Sequence, residues 1–315
     1  MLLIRRVSWC KNKIKRLVIL LEEIGLLTFK RFSMLSIEEA VHLFNEGFRY
    51  YFTNIHLTVD ALIKKMANEE ISPERSLVAY DQDQPVGFVL NGFRTINGQK
   101  VSWNGGTGVI PDYRGKGIGK ELMNACMDLY KQEGVGCLML EAISENTKAI
   151  KLYEKIGYKK TDDLIFYVSN ESLSRDAFSY SGSYDVVRAL PQEIVALDFY
   201  EHFSPWQTQA QGLAGAEAVV VKSGEESVGY ALYRSVRNSE GKIESIVLYQ
   251  CEGKPEFNEK EDVILCLLHS VFQPALTDCK RTTFNFPKSN DLACRAFQNE
   301  GFNTTIQQVH MSKTI

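Results

Sequence analysis

The stretch "IPDYRGKGIGKEL", residues 110–122, sets three glycines and three cations, Arg114, Lys116 and Lys120, between an apolar run ending at Val109-Ile110 and a helical pattern starting near Lys120. A strand feeding a glycine-rich, cationic turn that opens a helix is a physical solution for holding phosphate. The first N–H groups of a helix lack intrahelical partners, the helix dipole adds partial positive charge there, and glycine lets the backbone approach a ligand closely. Two phosphate motifs fail on their own terms. A nucleotide-triphosphate loop ends in Gly-Lys-Ser/Thr, whereas Glu121 follows Gly119-Lys120. The dinucleotide fingerprint requires a parallel βαβ unit, whereas the strands before this turn read as antiparallel hairpins. The pattern left is Arg114-x-x-Gly117-x-Gly119.

Working outward, Ser36 and Glu39 form a capping box for a helix over "IEEAVHLFNEGF", preceded by a first strand in "LLTFKRFS". A second helical stretch lies near "TVDALIKKMANEE". The runs "SLVAYD", "PVGFVLNGF" and "QKVSWNGGTGVI" then read as an antiparallel meander. After the turn, Leu122, Cys126, Leu129 and Tyr130 share one helical face that Gly134 can terminate. A strand "GCLMLEAI", a helix "ENTKAIKLYEKIG" and a closing strand near "DDLIFYVS" follow.

The chain then repeats itself. "VAYDQDQPVGFVL" (78–90) resembles "VVVKSGEESVGYAL" (219–232), and "NTKAIKLYEKIGY" (146–158) aligns without a gap on "NDLACRAFQNEGF" (290–302). The expected division is a basic, apolar extension at 1–24, a first domain at 25–168, a linker rich in Ser, Asn and Asp at 169–184, and a degenerate second domain at 185–315. The apolar run Leu17–Leu21 is too short to span a bilayer, which takes about 20 residues. The extension reads as lying outside the fold, with a basic membrane-surface helix as the alternative. Met34 is a poor alternative start, because beginning there would delete the first strand.

A net charge of −3 gives no whole-chain reason to expect nucleic acid. Seven widely spaced cysteines without a Cys-x-x-Cys pair, and five scattered histidines, form no metal site and read as reduced thiols and isolated imidazoles of a cytoplasmic protein.

With the turn and a second signature, Asn146-x-x-Ala149-x-x-Leu152-Tyr153-x-x-x-Gly157-Tyr158, the sequence resembles the GCN5-related N-acetyltransferase (GNAT) family. The resemblance covers residues 25–168 strongly and the rest as fold. It implies an α/β (α+β) architecture of two tandem GNAT-like domains, each a mixed, mostly antiparallel sheet flanked by helices. It also implies acetyl-coenzyme A as co-substrate and an amine as acceptor, without a metal. Gly115, Lys116, Gly117, Ile118, Gly119 and Lys120, with Arg114, would cradle the pyrophosphate. Val109 and Ile110 would pair with the pantetheine arm, with Asn146 and Ala149 beside it and Tyr153 near the sulfur. Glu141 is similar in placement to the base of ribosomal-protein N-terminal acetyltransferases, with Tyr153 as the acid; a structural carboxylate at Glu141, with a water chain moving the proton, stays open. Asn91, Arg94, Asn104 and Tyr50 are the nearest candidates for the acceptor pocket.

In the second half, the segment facing the turn reads "QCEGKPEFNEKEDVIL": the glycine spacing is absent and carboxylates outnumber lysines. Phe297 replaces Tyr153 and cannot donate a proton. That half is therefore expected to be silent, serving packing, the acceptor site or self-association as a homo-oligomer. Acetyl transfer to a small amine is the leading reading. The alternatives are a protein N-terminal or lysine acetyltransferase, and an acyl-coenzyme A sensor without catalysis.

Overall fold

The computed structural model describes residues 27–315 apart from 54, 171, 277 and 278; the expected extension at 1–24 lies outside the described residues. Contacts divide the chain into two compact units. The first holds residues up to Ala67, Ile71–Phe93 and Asn104–Val135; the second holds Asn68–Glu70, Arg94–Trp103 and Gly136–Ile315.

In the first unit, strand β1 (Thr28–Arg31) precedes helices α1 (Ile37–Gly47) and α2 (Val59–Asn68). The capping box forms: Ser36 Oγ accepts from the Glu39 N–H at 3.2 Å, and Glu39 Oε2 accepts from the Ser36 N–H at 2.8 Å. Strands β2 (Leu77–Asp81), β3 (Gln84–Ile96) and β4 (Gln99–Val109) follow, in the sheet order β1-β2-β3-β4, with β1 and β3 both antiparallel to β2. Helix α3 (Ile118–Gln132) buries Leu122, Cys126, Leu129 and Tyr130 and packs against β2. Its end is marked by Gly134 at φ 67°, the left-handed conformation that stops a helix without steric cost.

The second unit is built on β5 (Cys137–Ile143), α4 (Thr147–Ile156), β6 (Lys159–Ser169), β7 (Asp185–Ala189), the short α5 (Pro191–Ile194), β8 (Glu217–Ser223), β9 (Glu226–Arg237) and β10 (Ile243–Gly253). It ends with α6 (Lys260–Phe272), β11 (Lys280–Thr283), the two-residue β12 (Phe286–Pro287), α7 (Asp291–Asn299) and β13 (Asn303–Thr314). The succession β8-β9-β10-α6-β11-α7-β13 copies β2-β3-β4-α3-β5-α4-β6. The strand order in this unit is β5-β13-β6-β11-β10-β9-β8-β7. The last strand of the chain therefore lies between β5 and β6, antiparallel to both, and His310 pairs with Glu141 on one side and Asp162 on the other. Strand β6 in turn pairs with β11. Each copy thus gives its final strand to the other, so contacts divide the chain along a different line from the repeat seen in the sequence.

Two buried clusters hold this unit. One gathers Phe178, Phe272, Phe286, Phe297 and Phe302 under α6 and α7; the other sets Ile194, Tyr200, Tyr230 and Leu232 on the opposite side of the β8–β10 sheet. Alternation along β9 puts Ala231 in the first and Tyr230 and Leu232 in the second. Arg281 is fully buried, and its guanidinium donates to the carbonyls of Phe272, Gln273, Leu276 and Cys279. A cation at the C-terminus of α6 meets both the carbonyls left over by the helix and the negative end of its dipole.

The segment 169–184, expected as a linker, lies between the end of β6 and the start of β7. It has no period because its described residues form neither helix nor strand beyond Ser169, yet Leu173, Ala177 and Phe178 are core residues. Asp262 also accepts from the N–H groups of Ser181 and Gly182 at 2.9 and 2.6 Å. The connection is packed down rather than free.

Candidate active site

In the first unit, β4 ends at Val109 and the chain turns through Pro111–Tyr113 into α3. Gly115 and Gly117 sit at φ 79° and 88°, where a side chain is strained, and a Cβ at either position would meet nothing within 4 Å. Space does not require glycine here; backbone conformation does. Gly117 is the N-cap of α3, and its carbonyl accepts from the N–H groups of Lys120 and Glu121. The N–H groups ahead of these point out of the helix, beside the exposed Lys116 and Lys120, while Ile118 anchors the turn in the core.

Two expectations about this turn change. The Ile110 N–H donates to the Val86 carbonyl at 3.0 Å, and its carbonyl accepts from Tyr113, so its backbone is used within the fold. By the alternation of a strand, it is Val109 whose N–H and carbonyl face away from β3. Arg114 donates from Nε to the Val109 carbonyl at 2.8 Å, and from Nη2 to the carbonyls of Gly47 and Arg49 at 3.1 and 2.7 Å. Its first work is to tie the end of α1 to the end of β4.

In the second unit, Glu141 lies on β5 with its side chain 4% exposed. Trp103 Nε1 donates to Oε2 at 2.6 Å, and the Trp206 backbone N–H donates to Oε1 at 3.3 Å. The two indoles stack at 5.6 Å and 3°. Burial pushes the Glu141 carboxyl up to about 7 against the pull of these donors, and burial pulls the His310 imidazole down to about 4. His310 Nε2 stands 3.7 Å from Glu141 Oε1, and with a neutral imidazole at pH 7 this contact is not an ion pair.

Asn146 caps α4, its Oδ1 accepting from the Ala149 N–H at 3.2 Å, and its own N–H donates to the Ile143 carbonyl. This fastens the first turn of α4 to the end of β5. Tyr153 follows two turns later, 7% exposed, its ring 5.9 Å from that of Tyr158. Gly157 takes φ 101° and closes the helix.

Of the expected acceptor residues, Asn91, Arg94 and Asn104 are buried and engaged by partners within the chain. Asn91 is fully buried, donating to the Arg75 carbonyl and accepting from the Tyr130 hydroxyl at 2.7 Å; it joins β3 to α3. Asn104 bonds Thr107 and the Gly106 N–H and is 5% exposed. Arg94 is neither solvated nor open to a ligand. Its Nε meets Glu70 at 3.0 Å, its Nη1 donates to the Trp206 carbonyl and Gln209 Oε1 at 2.9 and 2.8 Å, and its guanidinium lies 3.9 Å from the Trp206 ring. Only Tyr50, 79% exposed at φ 62°, keeps a surface position. Residues 206–209 thus anchor on Arg94 and close over Glu141, a role that sequence reading missed because nothing local distinguishes Trp206 from a core tryptophan. Among the described residues no group of three or more His, Cys, Asp or Glu is placed to hold a metal ion, and no helix is long and apolar enough to cross a membrane.

The family model described as "Acetyltransferase (GNAT) family" matches residues 37–158. Over 109 residues the chain is 31% identical to N-alpha-acetyltransferase 30 of Schizosaccharomyces pombe, covering 34% of this chain and 71% of that protein. Over 72 residues it is 32% identical to mycothiol acetyltransferase of Renibacterium salmoninarum, covering 22% of this chain but 21% of that one, so the match spans a fifth of that relative. A tandem GNAT protein from the clavulanic acid biosynthesis pathway shares the fold at TM-score 0.51 and 12% identity, covering 91% of this chain and 98% of that one. Sheet, helices and turn define the GNAT class of α/β folds, in a tandem arrangement. The chain belongs to the GNAT acetyltransferase family, and it is an N-acetyltransferase.

Proposed function

We propose that this chain transfers the acetyl group of acetyl-coenzyme A directly to a small primary amine in a ternary complex, through its N-terminal half. The observation that carries the reading is the turn at 114–120, with two left-handed glycines, a helix N-terminus and exposed Lys116 and Lys120. There the pyrophosphate would accept from backbone N–H groups and lysine ammonium groups. The neutral amine attacks the thioester carbonyl, the C–N bond forms as the C–S bond breaks, and the thiolate takes a proton from the Tyr153 hydroxyl. The proton shed by the amine passes to Glu141, whose carboxyl near 7 suits a base at neutral pH. Since Trp103 and Trp206 cover Glu141, a water chain must complete that transfer. The same cover favours a small acceptor over a folded protein chain. Binding of acetyl-coenzyme A by calorimetry, with stoichiometry fitted, tests the donor site: one site is expected, lost in Gly117→Glu, and two sites or none would overturn the reading. A screen of amines then tests the acceptor.

A further inference from the structure

We propose that the C-terminal half carries a ligand site of its own, a cavity that takes a small organic amine as its cation and is separate from acetyl transfer. The cavity, about 420 Å³, lies wholly within the second unit, between the ends of β10, β6 and β13, the first turn of α7 and the loop 201–208. Its volume falls within the range of small-molecule sites.

Its chemistry is set by carboxylates. Asp162, Glu201, Glu252 and Asp291 stand on its wall against one cation, Lys260, so the lining carries excess negative charge. Asp162 is already engaged, accepting from Ser289, and Glu201 accepts from the Phe203 N–H. Glu252 is different. Its Oε1 accepts from Asn290 Nδ2 at 3.1 Å, and its Oε2 has no hydrogen-bond partner among the described residues. A carboxylate oxygen on the cavity wall with no donor from the chain can accept from an ammonium group, which supplies the bond with charge. His310 stands on the same wall, 6% exposed, with its Nε2 buried 3.7 Å from Glu141 Oε1 and without a hydrogen-bond partner. Leu164, Phe203, Tyr249 and Leu292 are among the apolar residues of the lining and suit an aliphatic body behind the ammonium group.

Position strengthens the case. Glu252 falls at the end of β10, where the corresponding end of β4 offers only Gly108 and Val109. Asn290 Nδ2 also donates to the Cys251 carbonyl at 2.7 Å, bridging β10 to α7 at the gap that a pantetheine arm would need. What the C-terminal half loses as a coenzyme site it gains as an acidic cavity. Burial pushes the Glu252 carboxyl up to about 7, with Glu201 and Asp162 in the same direction and Asn290 and Lys260 opposing. A bound cation favours the ionised carboxylate, so binding should release a proton below pH 7 and tighten as pH rises from 6 to 8.

The test is calorimetry on the full chain with three probes of equal length: 1,4-diaminobutane, n-butylamine and butyrate. The diamine is expected to bind at one site, the monoamine more weakly, and butyrate not at all. Glu252→Gln, which keeps an oxygen to accept from Asn290, should weaken the diamine at least tenfold with thermal unfolding showing an intact fold. Gly117→Glu should leave it unchanged. No heat from either amine, binding of butyrate, or indifference to Glu252→Gln would overturn the proposal, as would loss of binding in a folded Gly117→Glu protein. Failure of acetyl-coenzyme A to bind, with diamine binding intact, would instead sink the acetyl-transfer reading alone.

Discussion

The turn before α3 and the turn before α6 follow equivalent strands and open equivalent helices, yet their chemistry is opposite. Before α3, Gly117 is the N-cap, two residues are left-handed glycines and the cations face solvent. Before α6, Glu259 holds the N-cap position without a side-chain cap bond, Glu261 and Asp262 fill the first turn, and Lys254 is drawn to Glu226 at 2.7 Å. One helix start is left open to an anion, and the other is neutralised by its own chain. The same contrast recurs downstream. Asn146 and Asn290 cap α4 and α7 with bonds of equal length, 3.2 Å, but Tyr153 is replaced by Phe297, which sits in the aromatic core. Duplication preserves the frame where backbone geometry demands it, and chemistry survives only where a ligand demands it.

That contrast can be broken most severely at Gly117. Gly117→Glu forces a side chain into a left-handed position and sets a carboxylate in the turn; acetyl-coenzyme A affinity should fall by at least about 100-fold, or roughly 2.7 kcal/mol, measured by calorimetry. Next comes the tyrosine. Tyr153→Phe should lower kcat by about 10²–10⁴-fold with coenzyme binding retained. The reverse change, Phe297→Tyr, should add no activity and cost roughly 1–3 kcal/mol, because a hydroxyl enters an apolar core. A tyrosine variant that kept full rate would remove Tyr153 as the acid, and coenzyme binding with no turnover of any amine would make the N-terminal half a sensor.

Trp206→Ala sharpens the comparison from the other side, since it asks what the C-terminal half does for Glu141. Loss of the stacked, fully buried indole should cost about 3–5 kcal/mol in denaturant unfolding. It should also relieve the burial that holds Glu141 near 7. Since the base works ionised, rate should fall below pH 7 in the native protein, and the variant should carry that acid limb to lower pH. An unmoved limb would remove Glu141 as the titrating base.

The smallest effects are expected at the two caps. The cap bond lost in Asn146→Ala and in Asn290→Ala should account for about 1 kcal/mol of stability in each. Asn290→Ala should cost about 1 kcal/mol more, since the Cys251 carbonyl and Glu252 also lose a donor. Equal losses would mean that the bridge from Asn290 to β10 contributes nothing.

Much of the fold was legible because its signals are local. The Ser36–Glu39 box, the α3 face at Leu122, Cys126, Leu129 and Tyr130, and the turns at Gly134 and Gly157 depend on residues within a few positions of one another. The turn at 114–120 belongs with them, since its glycines answer backbone conformations rather than distant partners. The acceptor candidates fared worse for a physical reason. A polar side chain on a strand is equally consistent with a ligand and with a partner far along the chain, and Asn91, Arg94 and Asn104 each found an internal partner. For Arg94 that partner, Trp206, lies over a hundred residues away.

By itself the sequence determined that the chain contains two copies of one strand-and-helix succession, that one copy retains a glycine-rich cationic turn, and that the other has filled its equivalent with carboxylates. These follow from backbone geometry and charge, which are properties of short segments. Only the tertiary structure decided that each copy gives its last strand to the other, that Trp206 and His310 surround Glu141, and that Glu252 lines a cavity. Strand pairing and burial are settled by residues distant in sequence, where water is excluded and every polar atom must find a partner or go without.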